Sequence, residues 1–249
     1  MVARAELDAY LIALLQTASF TDYGPNGLQV EGKDKVLKIV SGVTASLALI
    51  DAAIAAQADA IVVHHGLFWN GHDGRLTGWL KQRVARLMAH QINLFAYHLP
   101  LDAHPVYGNN AQFGNRFGVT ADAHFGAQNL GCLGSLAEGL SLGEFSTTVQ
   151  LQLGRVPTVV SGDGRLIRRL GWCTGGAQSY FEGAMAAGAD VYVTGEISEP
   201  QAHLARESGV AFIACGHHAS ERYGAPALGA HVAERFGLEH QFIDIDNPA

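Results

Sequence analysis

Short, continuously apolar segments alternate with amphipathic segments along almost the whole chain, and this alternation restricts the fold more than any other feature. The predicted strands are residues 38–44, 60–63, 92–97, 166–172, 191–193, 210–214 and 241–245. The predicted helices between them are residues 46–57, 76–90, 180–187, 200–207 and about 219–236. Buried strands joined by helices are typical of βαβ units, so we predict an α/β fold with mostly parallel sheets.

The two halves of the chain share a spacing that suggests two related α/β lobes. Thr44 and Asp59 flank a predicted helix in the first half and lie 15 residues apart. Thr174 and Asp190 flank a helix in the second half and lie 16 residues apart. A duplicated lobe would explain this similarity, and so would the general likeness of any two βαβ units.

Composition indicates the boundary between the two lobes. Residues 123–143 contain five glycines and little periodicity, so we predict that the chain crosses between lobes there. The first lobe then comprises residues 1–125 plus about 222–249. The second lobe comprises residues 126–221.

Charge and cysteine content limit the partners and the compartment. The formal net charge is −7 and no basic run is present, so we expect no strong binding to nucleic acid. Cys132, Cys173 and Cys215 form no CxxC pair and are interpreted as reduced thiols of a cytoplasmic protein. Glu6 and Asp8 interrupt the first apolar run, which argues against a signal peptide. No segment approaches the roughly 20 apolar residues of a membrane span.

Three clusters of histidine and acidic residues follow predicted strands directly. His64 and His65 come after the strand at 60–63, Asp102 lies just beyond the strand at 92–97, and His217 and Glu221 follow the strand at 210–214. Parallel sheets gather their ligands at the carboxyl ends of the strands. Taken singly, these residues also fit structural roles, such as a surface histidine pair, a helix N-cap or an exposed glutamate at a helix start.

Taken together, the five side chains predict a metal site. Imidazole nitrogens combined with carboxylate oxygens suit two divalent metal ions per subunit, with zinc, iron, manganese, nickel and magnesium all compatible. Such a pair can activate a water molecule for hydrolysis. Glu196 and His98 also end predicted strands, and we interpret them as catalytic acid/base groups or as outer partners of the ligands.

At these clusters the chain resembles the NGG-one-interacting-factor-three-like family, whose bacterial members are labelled GTP cyclohydrolase 1 type 2 homologs. The resemblance is greatest to the compact YbgI-type proteins and covers nearly the whole chain. The matching segments are residues 22–32 (DYGPNGLQVEG), 42–46 (GVTAS), 63–66 (VHHG), 98–105 (HLPLDAHP), 108–111 (GNNA), 172–176 (WCTGG), 194–196 (TGE), 216–221 (GHHASE) and 242–249 (FIDIDNPA).

This resemblance implies two lobes around a central dinuclear metal cleft and subunits assembled into a toroidal homohexamer. The family's ligand positions fall on His64, His65, Asp102, His217 and Glu221, with Glu221 bridging the ions. The domain that longer relatives carry in mid-chain has no counterpart in these 249 residues.

The leading functional hypothesis is a metal-dependent hydrolase, similar to GTP cyclohydrolase 1 type 2, that acts on a nucleotide or another small phosphorylated or cyclic amide substrate. The alternatives are a regulatory or scaffold protein that binds metal without turnover, and ions that only hold the lobes together. We expect no association with a membrane.

Overall fold

The computed structural model describes residues 1–249 and divides into two compact units. Unit 1 comprises Met1–Gly108 and Gly224–Asp246, and unit 2 comprises Asn109–Tyr223 and Asn247–Ala249. Most of unit 2 is therefore inserted between two segments of unit 1. None of the helices combines the length and the apolar character needed to cross a membrane.

Strands and helices alternate in both units, as expected of a mixed α/β protein. The strands are β1 (Val2–Ala3), β2 (Gly27–Val30), β3 (Lys35–Val36), β4 (Lys38–Thr44), β5 (Ala60–His65), β6 (Asn93–Ala96), β7 (Ala123–Phe125), β8 (Gly131–Leu140), β9 (Thr158–Val160), β10 (Ile167–Trp172), β11 (Val191–Thr194), β12 (Ala211–Ala214) and β13 (Glu239–Phe242). The helices are α1 (Arg4–Leu15), α2 (Leu47–Ala55), α3 (Gly78–Ala89), α4 (Leu99–Ala103), α5 (Asn109–Arg116), α6 (Leu142–Leu153), α7 (Phe181–Ala186), α8 (Glu199–Ser208), α9 (His217–Glu221) and α10 (Gly224–Phe236).

The main sheet of unit 1 has the strand order β13-β4-β5-β6-β2. Its first four strands run parallel, and only the edge strand β2 is antiparallel to its neighbour β6. Successive residues from Ala60 to Val63 in β5 are all buried, so both faces of the sheet are covered. The prediction of a mostly parallel sheet is confirmed for this unit.

Helices cover the two faces of this sheet in pairs. On one face, Leu49 of α2 and Leu87 of α3 belong to a buried cluster with alternate strand residues. On the other face, Leu11 of α1 and Leu228 of α10 do the same. Helix α2 begins where the Ser46 side chain accepts a hydrogen bond from the backbone N–H of Leu49, which satisfies one of the free donors at the helix start.

Unit 2 contains a six-stranded sheet in the order β7-β8-β10-β11-β12-β9. Only β10, β11 and β12 are parallel, because β8 is antiparallel to β10, β7 to β8, and β9 to β12. The prediction of a mostly parallel sheet is therefore wrong for this unit. The link from β7 to β8 is too short for a crossover helix, and a short link can join only antiparallel strands.

Three predicted elements differ from the structure. Residues 123–143, predicted as the crossing between lobes, instead form β7 and β8 within the sheet of unit 2. The helix predicted at about 219–236 is divided into α9 and α10, with Arg222 and Tyr223 outside both. The last strand, β13, begins two residues earlier than predicted and pairs with β4.

Candidate metal centre

His64 and His65 end strand β5, and an oxygen atom holds the Nδ1 atom of each ring. The Nδ1 atom of His64 lies 3.0 Å from the carbonyl oxygen of Tyr97. The Nδ1 atom of His65 lies 3.0 Å from the hydroxyl oxygen of Thr44, its partner residue on β4. Because a carbonyl can only accept, His64 donates from Nδ1 and keeps a lone pair on Nε2, the form that a metal ligand needs.

His98 directly precedes α4 and forms a short hydrogen bond with the buried carboxylate of Asp22. The Nδ1 atom of His98 lies 2.6 Å from Oδ1 of Asp22. The same carboxylate accepts from the side-chain amide of Asn26 and from the backbone N–H of Leu99. Burial alone would raise the pKa of Asp22, but the hydrogen bonds from His98 and Asn26 lower this pKa to about 2. Asp22 is therefore a carboxylate that fixes the ring of His98.

Asp102 lies on α4, where its backbone N–H donates to the carbonyl oxygen of His98. Its side chain is buried, and its Oδ1 atom lies 3.5 Å from Nε2 of His64. The ligand atoms of His64, His65 and His98 lie within 4.8 Å of one another and could hold a metal ion. Unit 1 therefore brings together three of the five predicted ligands, and His98 lies beside them.

His217 and Glu221 lie on α9, one helical turn apart, in unit 2. The Nε2 atom of His217 is 3.1 Å from Oε2 of Glu221, and Glu221 is only 2% exposed. On its other side, His217 donates from Nδ1 to Oε1 of Glu196 at 2.6 Å. The remaining two predicted ligands are thus neighbours, and Glu196 contacts one of them directly.

The two carboxylates change the protonation of His217. Burial alone would lower the pKa of this ring, but the hydrogen bond with Glu221, followed by that with Glu196, raises the pKa to about 9. A metal ion bound to Nε2 would take the place of the proton that His217 shares with Glu221. Metal binding to this pair is therefore expected to release a proton.

Glycines give the side chains of unit 2 the space that they occupy. Gly175 has a φ of +71°, and a Cβ atom there would overlap Oε1 of Glu221. A Cβ atom on Gly176 would lie 3.5 Å from the carboxylate of Glu196. A Cβ atom on Gly195 would lie 2.6 Å from the backbone of His217. Gly175 therefore lets the backbone approach the Glu221 carboxylate closely, and Gly195 lets two backbone segments approach each other, whereas the contact at Gly176 is an ordinary one.

The four histidines of the candidate site share one arrangement that fits metal binding. In His64, His65, His98 and His217, an oxygen atom lies against Nδ1, and three of these oxygens belong to a carboxylate or a carbonyl. Metal-binding histidines almost always have such a partner, which orients the ring and selects the nitrogen that binds. The side chains of both units therefore fit divalent metal ions in their donor chemistry.

Sequence reasoning identified Glu196 as a possible partner of the ligands but missed three other residues that position the side chains of the site. Asp22, Thr44 and Gly175 lie inside the segments used for the family resemblance, but no role was assigned to them. Asp22 is 76 residues from His98, and Thr44 is 21 residues from His65. Asp22 belongs to the DYGPNG segment, which marks it as a residue of interest, but nothing in this segment indicates that Asp22 contacts His98.

A family model described as Duf34/NIF3 (NGG1p interacting factor 3) matches residues 2–248. The chain belongs to this family, which confirms the resemblance drawn from its sequence motifs. A protein of Neisseria meningitidis serogroup A is 51% identical over 249 residues and covers 100% of both chains. A protein of Pseudomonas aeruginosa is 51% identical over 247 residues, which cover 98% of this chain and 96% of that relative. Both relatives bear the name GTP cyclohydrolase 1 type 2 homolog.

Solved structures show the same fold. The chain matches a structure described as "Structural genomics, protein ybgI, unknown function" with a TM-score of 0.96 and 44% identity, over 100% of both chains. It matches the crystal structure of TTHA1606 from Thermus thermophilus with a TM-score of 0.91 and 33% identity, again over 100% of both chains. The α/β fold is therefore the fold of this family along the whole chain.

Proposed function

We propose that this protein binds two divalent metal ions per subunit through His64, His65, Asp102, His217 and Glu221, and that it hydrolyses a nucleotide or a related substrate. The observation that carries the proposal is the orientation of the histidines. In His64, His65 and His217 an oxygen atom lies against Nδ1, so Nε2 is the nitrogen proposed to bind a metal ion, which in His217 would displace the proton shared with Glu221.

The donor set favours zinc, iron, manganese or nickel, because it combines imidazole nitrogens with carboxylate oxygens. Glu221 is proposed to bridge the two ions. When bound, the ions would supply a water molecule of lowered pKa and positive charge to stabilise an oxyanion. The names of the relatives support a cyclohydrolase-like reaction, in which water opens a ring, for this chain as well.

His98 and Glu196 are the proposed proton-transfer groups. Asp22 accepts the Nδ1 proton of His98, so the neutral ring has a lone pair on Nε2 with which to accept a proton. Glu196 uses Oε1 to hold His217, at 2.6 Å from Nδ1. Of the two, His98 therefore has the better geometry for a base, and Glu196 for positioning a ligand.

The first experiment measures metal content and turnover on the same samples. Protein purified without added metal or chelating resin is analysed by elemental mass spectrometry, beside His64→Ala, Glu221→Ala and the control His203→Ala. His203 is an exposed residue on α8 that pairs only with Glu199, so its loss should leave metal content unchanged. Each sample is then assayed against nucleotides, phosphoesters and cyclic amides.

We expect about two ions per subunit in wild type and in the control, loss of metal in the other two variants, and metal-dependent turnover of at least one compound. Metal binding without turnover of any compound would favour a regulatory or scaffold protein instead. Absence of metal, even after reconstitution with zinc, manganese and iron, would overturn the proposal. Light scattering on the same samples tests the toroidal hexamer that the resemblance implies.

A further inference from the structure

The oxygen atoms that lie against the histidine rings are not chemically alike. Three of the four rings place Nδ1 against a carbonyl or carboxylate oxygen, namely His64 against Tyr97, His98 against Asp22 and His217 against Glu196. His65 instead places Nδ1 against the hydroxyl oxygen of Thr44, at 3.0 Å. A carbonyl or an ionised carboxylate only accepts a hydrogen bond, whereas a hydroxyl both donates and accepts. His65 is therefore the exception among the four.

The carbonyl partner of His64 fixes that ring for metal binding. The backbone of Tyr97 is itself held, because its N–H donates to the carbonyl oxygen of Val63 at 3.0 Å. His64 and Tyr97 are both completely buried, so water does not compete for the hydrogen bond between them. Nδ1 of His64 therefore donates to the carbonyl oxygen, and the lone pair on Nε2 is available without rearrangement.

The hydroxyl of Thr44 does not fix His65 in this way. Thr44 is the last residue of β4 and pairs with His65 on β5, so the two backbones are in register. The hydroxyl of Thr44 forms its one hydrogen bond with Nδ1 of His65, so no second partner determines where the hydroxyl proton points. When this hydroxyl donates to Nδ1, the proton of the neutral ring lies on Nε2, where it blocks a metal ion. Metal binding at Nε2 then requires the hydroxyl and the ring to exchange their roles.

The hydrogen bond between Thr44 and His65 is also the weaker kind. Hydrogen bonds to an ionised partner are roughly twice as strong as those between neutral groups, and a carboxylate partner makes a metal-binding imidazole more basic. Thr44 and His65 are only half-buried, whereas His64 is completely buried. Water therefore competes for the partner of His65 and not for that of His64. Among the imidazole ligands of the proposed centre, His65 is the least well prepared for an ion.

We infer that the two ions of the proposed centre are held with unequal affinity, that the ion bound by His65 is the exchangeable one, and that Thr44 is the positioning residue that sets its affinity. The inference rests on the proposed function, because it describes how the occupancy of the same centre is regulated. Activation of water is assigned to the two ions together, so turnover depends on the metal supply through the ion at His65.

Equilibrium dialysis of the cobalt-loaded, full-length protein tests the inference. The protein is dialysed against a series of EDTA-buffered concentrations of free cobalt(II), and bound cobalt is counted by elemental mass spectrometry. Thr44→Val removes the hydroxyl and nearly preserves the shape of the side chain, whereas Thr44→Ser preserves the hydroxyl. The control is Thr158→Val, the same substitution at an exposed position of strand β9. Circular dichroism and thermal unfolding establish that each variant is folded.

We expect wild type to lose its ions in two steps, with dissociation constants that differ by roughly tenfold or more. Thr44→Val should raise the larger constant by about 10–100-fold, the usual effect of removing the partner of a metal-binding histidine. It should leave the smaller constant within about threefold of wild type, and Thr44→Ser and Thr158→Val should leave both constants within that range. Equal constants for the two ions in wild type would overturn the inference. A Thr44→Val variant that keeps both constants, or weakens both by the same factor, would overturn it as well.

The two proposals fail in different ways. Two unequal ions whose affinities depend on Thr44, in a protein that turns over no compound, would contradict the hydrolase and leave the inference standing. Two equally held ions in a protein that turns over a compound would leave the hydrolase standing and contradict the inference. A single ion per subunit at saturating cobalt would contradict the two-ion centre itself and the inference with it.

Discussion

Asp22 is a buried carboxylate whose side chain is only 4% exposed, yet it remains charged because donors surround it. His98 and Asn26 donate from their side chains, and Tyr23 and Leu99 donate from the backbone. One residue thereby fixes both the imidazole of His98 and the segment that leads into β2. Its charge contributes to the stability of unit 1 as well as to the proposed chemistry.

Asp22→Asn is therefore expected to destabilise the protein by about 1–2 kcal/mol at pH 7, since the pKa of Asp22 is lowered from 3.8 to about 2 in the folded state. A folded-state pKa below the unfolded value stabilises the folded state at pH values above 3.8, and this stabilisation is lost as the pH falls towards 2. Urea unfolding at pH 7 and near pH 3 should show a smaller difference between variant and wild type at the lower pH.

Asp51→Asn is the control, because Asp51 forms an exposed ion pair with Arg86. Its replacement should change the free energy of unfolding by less than about 1 kcal/mol. A difference between Asp22→Asn and wild type that does not vary with pH would contradict the role assigned to the Asp22 charge.

Gly175 and Gly188 provide a matched pair of substitutions, since both have positive φ angles, of +71° and +86°. Alanine at either position should cost roughly 1–2 kcal/mol of backbone strain. Only at Gly175 would the new Cβ atom also overlap Glu221, whereas open space surrounds Gly188. We expect Gly175→Ala to lose bound metal and Gly188→Ala to retain it, as measured by elemental analysis beside unfolding curves. Equal metal content in both variants would show that Glu221 tolerates the displacement.

At the scale of the element, helix α6 shows how a short polar segment starts a helix that has one buried face. The Ser141 side chain accepts from the backbone N–H of Glu144 at 3.3 Å, and the Glu144 carboxylate accepts from the backbone N–H of Ser141 at 2.8 Å. This capping box precedes Phe145, Val149 and Leu153, which lie four residues apart and are buried against the sheet of unit 2. The start of α6 therefore depends on two exposed side chains.

Ser141→Ala should lower the free energy of unfolding by about 1 kcal/mol, the usual effect of removing an N-cap. Thr147→Ala is the control, because Thr147 lies inside the same helix and its hydroxyl bonds only to the carbonyl oxygen of Gly143. Alanine favours the helix interior more than threonine does, so the control should be neutral or slightly stabilising. Chemical denaturation of both variants measures the difference, and equal effects would argue against the cap.

Across the whole molecule, local periodicity predicted the elements whose apolar residues are continuous or regularly spaced and missed several that lack such a pattern. Strands β4 and β5 and helix α3 lie within two residues of their predicted bounds, because their apolar residues are continuous or regularly spaced. Strand β8 is not predicted, because glycines and exposed residues interrupt the apolar pattern of its ten residues. Strand direction in unit 2 depends on pairing between distant segments, which no local pattern contains.

In the candidate site, too, the sequence predicts some residues and not others. It predicts the five proposed ligands, because each follows a predicted strand and matches a family motif: His64, His65, Asp102, His217 and Glu221. Glu196 was found in the same way, but Asp22 and Thr44 were not, because their contacts form only when the chain folds. Asp22 contacts His98 across 76 residues, and Thr44 contacts His65 across 21.

The insertion of unit 2 between the two segments of unit 1 has a consequence for biosynthesis. Strand β13 completes one edge of the first sheet, and helix α10 contributes Leu228 and Val232 to the core beneath it. Both emerge from the ribosome only after Asn109–Tyr223 has been made. On a translating ribosome, unit 1 must therefore wait with one face of its sheet partly uncovered while unit 2 can already fold, and this nascent form is the one in which the chain most needs protection from aggregation.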